Sequence, residues 1–435
     1  MRLTVLGANY IGLVVGTGLA EKGHFVTCVD RDETCIRALA NGELPLYEPG
    51  LEELVVRNAE EERLAFSTDL AQAVADSLMV FLCLETPVAE DGAPDLTGLW
   101  GTVEEIGRAI TGYRIIVNTC ICPVGTAEKI RDTIAGLTPH EFDVVVNPEF
   151  IKKGNAIDDF MRPDRVVVGC EDIRVEEIMK ELYAPFLRTG KPLLSMDLRS
   201  AEMVRLAVNA MLASRISMMN ELAQLCEAYG AEINAVRESM AFDSRIGSGY
   251  LFPGIGFGGS ALPRCLAAMA RLGKEKGIDC TLIEAAATVN ERHERAFIRR
   301  VLEYYGNEIA EKRIAVWGAS YKSRTDDVRG APALNVIDAL LDAGAAVAVY
   351  DPVALKKLHA IYGDRVTFAS KNYDAAERAD GLVIVAEWNE FHRPNFERLA
   401  SLMREKVIFD GRNLYSPKLL AENGFRYFSV GRASV

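Results

Sequence analysis

Short apolar runs alternate with helical stretches in the first third of the chain. The predicted strands cover residues 3–6, 25–29, 79–83, 115–117 and 144–146, and helices such as 51–60 and 98–110 separate them. Strands that alternate with helices are typical of βαβ units around a mostly parallel sheet. The pattern therefore predicts an α/β domain in this part of the chain.

The same alternation returns towards the C-terminus. Strands are predicted over residues 314–317, 346–350, 381–385 and 407–409, with a helix that starts near Ala333. Residues 200–290 carry no strand pattern, and residues 200–227 contain neither Gly nor Pro. That segment predicts one helix of roughly 40 Å, so two α/β domains are expected on either side of a helical centre.

Composition and charge narrow the classes of function. The chain of 435 residues is 49% hydrophobic and 26% charged, which is typical of a globular protein. Its net charge of −13 argues against a nucleic-acid partner. The sequence has no run of 18 apolar residues, which predicts no membrane span, and no signal-peptide cleavage site, so we expect a cytoplasmic protein. Its nine cysteines and five histidines lack ligand spacing, so no metal site is predicted.

A glycine turn after the first strand predicts a dinucleotide site. The turn opens the first helix, and an acidic residue ends the second strand, which is the arrangement of a Rossmann fold. The candidate cofactor-binding residues are Gly7, Asn9, Tyr10, Ile11, Gly12 and Asp30. Asn9 replaces the second glycine of the motif and brings a side chain into the space of the pyrophosphate, although Asn tolerates positive φ. A plain strand–turn–helix crossover without a nucleotide is the alternative.

Seven further segments carry a resemblance. They read YEPGLEEL at 47–54, PVGT at 123–126, NPEF at 147–150, DDFMRPDR at 158–165, FPGIGFGGS at 252–260, YKSRTDDVR at 321–329 and FDGRN at 409–413. In this order they resemble the UDP-glucose/GDP-mannose dehydrogenase family, closest to its UDP-glucose 6-dehydrogenase members.

The resemblance implies the fold, the domains and the partners. It predicts an α/β protein with two Rossmann-like domains with parallel sheets, joined by a long central helix and a helical dimerisation region. The implied domains are an NAD-binding domain at 1–195, a central dimerisation domain at 196–300 and a UDP-sugar-binding domain at 301–435. A homodimer through the central helix and a role in polysaccharide biosynthesis are also implied.

Family members oxidise the sugar C6 alcohol to a carboxylate with two NAD⁺, and a cysteine forms a thiohemiacetal and then a thioester. The nucleophile segment GGSCFPKD of the family reads GGSALPRC at 258–265, so Ala261 stands at the nucleophile position and Cys265 at the aspartate position. Arg205 replaces a lysine and Ile121 a threonine, whereas Glu149 and Asn209 are kept. The candidate catalytic residues are therefore Glu149, Asn209, Arg205 and Cys265.

Two further departures lie in implied cofactor or active-site loops. The Gly-Thr-Pro loop of the family reads Glu85-Thr86-Pro87 in this chain, and Thr86 is a further candidate for cofactor binding. The family has a second glutamate in the loop that contains the NPEF segment, and Lys153 stands at its position here. NAD is the implied cofactor, and Asn9 and Glu85 would weaken its binding, Glu85 by repelling the phosphates.

The implied substrate-binding residues are largely kept. They are Phe150, Lys152, Arg245, Phe252, Gly256, Gly258, Lys322, Arg329 and Arg412. The resemblance implies that Arg329 reaches the site of a partner subunit, and arginine suits bidentate contact with a phosphate.

The sequence therefore predicts a nucleotide-sugar-binding protein that has lost the four-electron oxidation and acts in regulation or as a scaffold. A single Cys→Ala change would fit an engineered trap, but four altered active-site positions indicate divergence. Two enzymatic alternatives remain. In the first, Cys265 replaces the nucleophile; it lies one helical turn after Ala261 if a helix starts near Pro263, and that helix start would activate its thiol. In the second, the reaction stops at the 6-aldehyde with Glu149 as the base through water.

Overall fold

The computed structural model describes residues 1–87 and 94–435, which form two compact units. The first unit covers residues 1–208 and the second covers residues 209–435.

The first unit is an α/β sandwich around one sheet of eight strands. Its strands are β1 (Arg2–Leu6), β2 (Phe25–Val29), β3 (Leu64–Ser67), β4 (Met79–Leu82), β5 (Arg114–Asn118), β6 (Phe142–Val146), β7 (Val166–Gly169) and β8 (Leu193–Met196). Its helices are α1 (Tyr10–Glu21), α2 (Glu33–Ala40), α3 (Leu51–Glu60), α4 (Leu70–Asp76), α5 (Thr97–Ala109), α6 (Thr126–Ala135), α7 (Ala156–Met161) and α8 (Ile173–Tyr183).

The order of the first six strands is 3-2-1-4-5-6, as in a Rossmann fold. These strands all pair in parallel, β7 pairs with β6 antiparallel, and β8 pairs with β7 in parallel. Every residue of β4 is buried, because helices cover both faces of the sheet. Crossover helices thus explain why the strands are continuous apolar runs.

One long helix, α9 (Leu198–Tyr229), runs from the first unit into the second. Its 32 residues correspond to roughly 48 Å. The prediction over residues 200–227 falls short by two residues at each end.

The second unit begins with helices and continues as a second α/β sandwich. The helices before the sheet are the rest of α9, α10 (Ile233–Phe242), α11 (Ala261–Glu275) and α12 (Thr281–Tyr305). The sheet and its crossovers are β9 (Arg313–Trp317), α13 (Pro332–Asp342), β10 (Ala346–Tyr350), α14 (Leu355–Tyr362), β11 (Thr367–Phe368), α15 (Asn372–Ala376), β12 (Gly381–Ile384), α16 (Phe396–Leu402), β13 (Val407–Asp410), α17 (Pro417–Glu422) and β14 (Arg426–Ser429). The strand order is β11-β10-β9-β12-β13-β14, which is again 3-2-1-4-5-6.

The two units build the turn after their first strand in the same way. In the first unit, the backbone N–H of Ala8 donates to Asp30 Oδ2 at 2.8 Å; in the second, Ala319 donates to Asp351 Oδ2 at 2.8 Å. Asp351 is completely buried and also accepts from the indole Nε1 of Trp388 at 3.2 Å. Its carboxylate is thus used inside the fold, whereas Asp30 stays half-exposed.

Burial of His293 predicts an acid-sensitive second unit. The ring lies in α12 with Nδ1 2.9 Å from Gln224 Nε2, and burial lowers the pKa of His293 from 6.5 to about 4. In the unfolded chain, His293 is therefore protonated below pH 6.5, whereas in the folded unit it is protonated only below about pH 4. Each pKa unit corresponds to about 1.4 kcal/mol.

We expect His293→Gln to remove this dependence. Between pH 7 and pH 4, the free energy of unfolding of the wild-type chain should fall by roughly 3 kcal/mol more than that of the variant. Urea unfolding at a series of pH values measures the difference. Parallel pH curves for the two proteins would contradict it.

Candidate functional site

The glycine turn of the first unit has no room for side chains at two positions. Gly7 has φ of +102°, and a Cβ there would lie 2.7 Å from the carbonyl oxygen of Cys83. A Cβ on Gly12 would lie 1.8 Å from the oxygen of Gly7. Because backbone packs directly on backbone, the turn brings the start of α1 against the ends of β1 and β4. This is the cradle that a pyrophosphate needs at a helix N-terminus.

Asn9 caps the helix at the position of the missing glycine. Its φ of −89° is ordinary, so the tolerance of Asn for positive φ is not used at this position. The side chain Oδ1 accepts from the N–H of Ile11 at 3.0 Å and of Gly12 at 3.1 Å, and Nδ2 donates to the carbonyl of Cys83. Asn9 thus holds the turn together and occupies two donors of the helix N-terminus.

The turn still fits a dinucleotide. Asp30 ends β2 beside the turn, and one carboxylate oxygen supports the N–H of Ala8 while the carboxylate remains half-exposed. An acidic residue at this place suits the ribose hydroxyls of a dinucleotide. Gly7, Gly12 and Asp30 therefore match the requirement, and Asn9 competes with the phosphates for donors.

The loop after β4 contacts the loop after β5. The buried Thr86 hydroxyl donates to the carbonyl of Ile121 at 2.9 Å. Glu85 is exposed. The predicted cofactor loop and the segment that carries Ile121 are therefore in direct contact in the first unit.

Glu149 is a buried carboxyl group with an altered pKa. It follows β6, and burial raises the pKa of Glu149 to about 7, while the positive charge of Arg205 acts in the opposite direction. Arg205 lies in the part of α9 that belongs to the first unit. A carboxyl group with a pKa near neutrality is suited to proton transfer.

A cleft in the first unit brings three predicted residues together. Glu149, Phe150 and Lys152 line it with Arg165, whose guanidinium carbon lies 3.6 Å from the centre of the Phe150 ring. Lys152 pairs with Asp159 at 3.2 Å. The cleft thus combines cationic and carboxylate groups.

The second unit brings Asn209 and Cys265 together. Asn209 Nδ2 donates to Cys265 Sγ at 3.1 Å. Helix α11 begins at Ala261 and not near Pro263, so Cys265 lies in the second turn, where it is completely buried. The assumption that Cys265 stands at a helix start is therefore wrong. Ala261, at the first helical position, presents only a methyl group.

The glycine-rich loop at 252–260 is fixed by close backbone contacts. A Cβ on Gly258 would lie 2.0 Å from the oxygen of Gly330, and Gly256 has φ of +132° with Asn290 Oδ1 2.9 Å from its ideal Cβ position. Asn290 also pairs with both the N–H and the carbonyl of Phe257. Arg412 Nη1 donates to the oxygen of Gly256 at 3.4 Å. Gly256, Gly258 and Arg412 thus belong to one local structure.

The other predicted substrate residues of the second unit are exposed or half-buried. Arg245 is exposed and pairs with Asp243 at 2.7 Å, and Arg329 is exposed and pairs with Asp327 at 2.9 Å. Phe252 is exposed, and Arg237 stacks on its ring at 4.7 Å. Lys322 is half-buried, and its carbonyl accepts from the Ser320 hydroxyl.

The sequence did not predict one set of contacts at the candidate site, which Glu48 makes. Glu48 is buried and accepts from the N–H groups of Gly154 at 2.6 Å and Ala156 at 2.7 Å, and from the Tyr10 hydroxyl. The segment at 47–54 carries the resemblance, but its spacing gives no sign that Glu48 joins the glycine turn to the loop after Glu149.

The described residues offer neither a metal-binding cluster nor a membrane-spanning helix. In residues 1–87 and 94–435, no three His, Cys, Asp or Glu side chains are placed to hold a metal ion. Across the same residues, no helix is long and apolar enough to cross a membrane.

Comparisons with known proteins match the chain almost from end to end. Three domains of the UDP-glucose/GDP-mannose dehydrogenase family match: the NAD binding domain at residues 1–187, the central domain at 199–292 and the UDP binding domain at 315–417. A UDP-glucose 6-dehydrogenase of Pseudomonas aeruginosa is 40% identical over 99% of this chain and 98% of its own length. One of Rhizobium meliloti is 40% identical over 99% of this chain and 100% of its own.

A solved structure agrees with these matches. The UDP-glucose dehydrogenase of the hyperthermophilic archaeon Pyrobaculum islandicum superimposes with a TM-score of 0.92 at 33% identity, over 99% of this chain and 98% of its own. The predicted α/β fold and NAD as the cofactor are confirmed. The chain belongs to the UDP-glucose/GDP-mannose dehydrogenase family.

Proposed function

We propose that this chain binds a UDP-sugar but does not oxidise UDP-glucose to UDP-glucuronate, and that it serves as a regulatory or scaffolding member of its family in polysaccharide biosynthesis. The observation that carries the proposal is Ala261 at the start of α11. A thioester requires a thiolate nucleophile, and a methyl group has no lone pair with which to attack the aldehyde carbon.

The other departures remove proton-transfer groups. Arg205 keeps a positive charge, but a guanidinium does not give up its proton at neutral pH as a lysine can. Ile121 has no hydroxyl, and Cys265 does not replace a carboxylate. The same chain keeps Glu149 and Asn209. The substitutions therefore affect chemistry more than the framework that holds a ligand.

Support for UDP-sugar binding comes from the second unit. The UDP binding domain of the family matches residues 315–417. The loop at 252–260 keeps glycines that close contacts require, and Asn290 and Arg412 hold its backbone. Exposed backbone N–H groups and arginine side chains are hydrogen-bond donors that can bind the oxygens of a diphosphate.

We also propose a cytoplasmic homodimer through α9. Met211, Met218, Leu225 and Tyr229 are exposed and fall on one face of the helix, at spacings of seven, seven and four residues. A second copy of the chain would cover this apolar row. All nine cysteines are free, which fits a reducing compartment.

A second candidate function rests on Glu149. A single hydride transfer from C6 needs no thiol and stops at the aldehyde. NAD would accept the hydride, and Glu149, with a pKa of about 7, would take the hydroxyl proton through water. The form with Cys265 as the nucleophile has less support, because the thiol is completely buried.

Titration calorimetry with UDP-glucose and, separately, with NAD⁺ tests the binding proposal. We expect the wild-type chain to bind UDP-glucose, and Gly256→Ala to bind it about tenfold more weakly because its Cβ would press on Asn290. The control is Gly277→Ala, since Gly277 also has positive φ but nothing within 4 Å of its Cβ position. A wild-type chain that gives no heat with UDP-glucose would contradict the proposal.

Restoring only the thiol should not restore the oxidation. We expect Ala261→Cys to form no UDP-glucuronate, because Arg205, Ile121 and Cys265 still replace the proton-transfer and oxyanion groups. Mass spectrometry of the products measures this, with the variant that also carries Ile121→Thr, Arg205→Lys and Cys265→Asp for comparison. Uronate made by the single variant would make the other three losses unimportant.

The second candidate makes a prediction about pH. If the chain releases NADH with UDP-glucose, the rate should fall about tenfold per pH unit below pH 7, because protonated Glu149 cannot act as a base. Above pH 7 the rate should level off. Absorbance of NADH across pH 5.5–8.5 (roughly three units around the Glu149 pKa) measures it, and Glu149→Gln should abolish the release. A flat profile, or an active Glu149→Gln variant, would rule out Glu149 as the base.

A further inference from the structure

Lys153 lies beside the start of α1 in the first unit. Its ammonium group is 4.9 Å from the centre of the Tyr10 ring, and Tyr10 is the first residue of that helix. The side chain is half-buried. The residue belongs to the loop that follows Glu149, so a cation from one loop reaches the glycine turn of another.

Four hydrogen bonds fix this loop against the turn. Glu48 is buried and accepts from the N–H groups of Gly154 and Ala156, the latter at the start of α7. The hydroxyl of Tyr10 donates to the same carboxylate and also lies 3.3 Å from the nitrogen of Gly154. Because Glu48 binds on both sides, Lys153 is held next to the ring of Tyr10.

The helix start lacks donors that it would otherwise offer. Oδ1 of Asn9 accepts from the N–H groups of Ile11 and Gly12, and Nδ2 of Asn9 is turned towards Cys83. The first turn of α1 has no charged residue of its own. A pyrophosphate placed there brings two negative charges to a site with fewer available N–H groups, so a nearby cation gains importance.

We propose that the ammonium group of Lys153 pairs with the pyrophosphate of NAD at the start of α1, and that it compensates for the N–H donors that Asn9 takes. The inference concerns the cofactor site alone, and it holds whether or not the chain oxidises a sugar. It assigns a binding role to a position where the resemblance implies a glutamate.

Calorimetry with NAD⁺ and with ADP-ribose tests the role of Lys153. ADP-ribose carries the pyrophosphate without the nicotinamide. Lys153→Gln should bind both about tenfold more weakly than the wild-type chain at low salt. Raising NaCl should weaken wild-type binding more than binding by the variant, because salt screens the ion pair. Lys153→Arg should keep most of the affinity.

The matched control is Lys22→Gln. Lys22 stacks on Phe186 at 5.5 Å, at the opposite end of α1, so the change removes a similar lysine far from the turn. We expect the control to bind NAD⁺ as the wild-type chain does. Melting temperatures and UDP-glucose titrations of every variant separate a lost contact from a lost fold, and they keep this test independent of the UDP-sugar proposal.

A double-mutant cycle with Asn9→Gly tests the compensation. Asn9→Gly frees the two N–H donors, so Lys153→Gln should then cost only about two- to threefold in NAD⁺ affinity. An equal loss in both backgrounds would contradict compensation. NAD⁺ binding by Lys153→Gln within twofold of wild type, loss of NAD⁺ but not ADP-ribose affinity, or no NAD⁺ binding by the wild-type chain would each overturn the inference.

Discussion

A carboxylate at the end of the second strand closes the glycine turn in each unit, and the remaining architecture is arranged around that contact. The bond from the N–H of Ala8 to Asp30, and its counterpart from Ala319 to Asp351, are both 2.8 Å long and hold the turn that follows the first strand of each unit. The two carboxylates differ in their exposure to solvent. Asp351 is buried and accepts from the indole of Trp388, whereas Asp30 is half-exposed. The same contact therefore leaves a partly exposed carboxylate in the first unit and a buried one in the second.

The departures at Ala261 and Ile121 concern reactive side chains, whereas the glycines in close contacts are kept. Gly12, Gly256 and Gly258 have no room for a Cβ, so a change there would disturb the backbone. Ala261 and Ile121 stand where a reactive group is implied, and an apolar side chain there leaves the backbone path intact. The proposed loss of the oxidation is therefore compatible with retention of the fold.

Much of the architecture is predictable from the sequence. The strands at 25–29 and 346–350 and the helix at 51–60 agree with the structure to the residue, because buried parallel strands and amphipathic helices leave strong patterns. The strands β8 and β11 left no such pattern, since they are short, lie at sheet edges and keep exposed positions. The three-domain division and the individual site assignments stay predictions.

The site is less predictable, because its decisive contacts join distant segments. Sequence spacing predicted the turn and Asp30, and the resemblance to the family predicted Glu149. It did not reveal that Asn9 caps α1, that Glu48 binds two loops, or that Cys265 falls inside a helix whose start lies two residues earlier than expected. Helix ends depend on the contacts around them, and hydrogen bonds across more than a hundred residues have no local signature.

The most direct measurement is product analysis of the purified wild-type chain incubated with UDP-glucose and excess NAD⁺, with mass spectrometry of the sugar nucleotide and absorbance of NADH. The proposed loss of the nucleophile at Ala261 predicts that no UDP-glucuronate forms. UDP-glucuronate accompanied by two NADH for each sugar would contradict the loss of the four-electron oxidation.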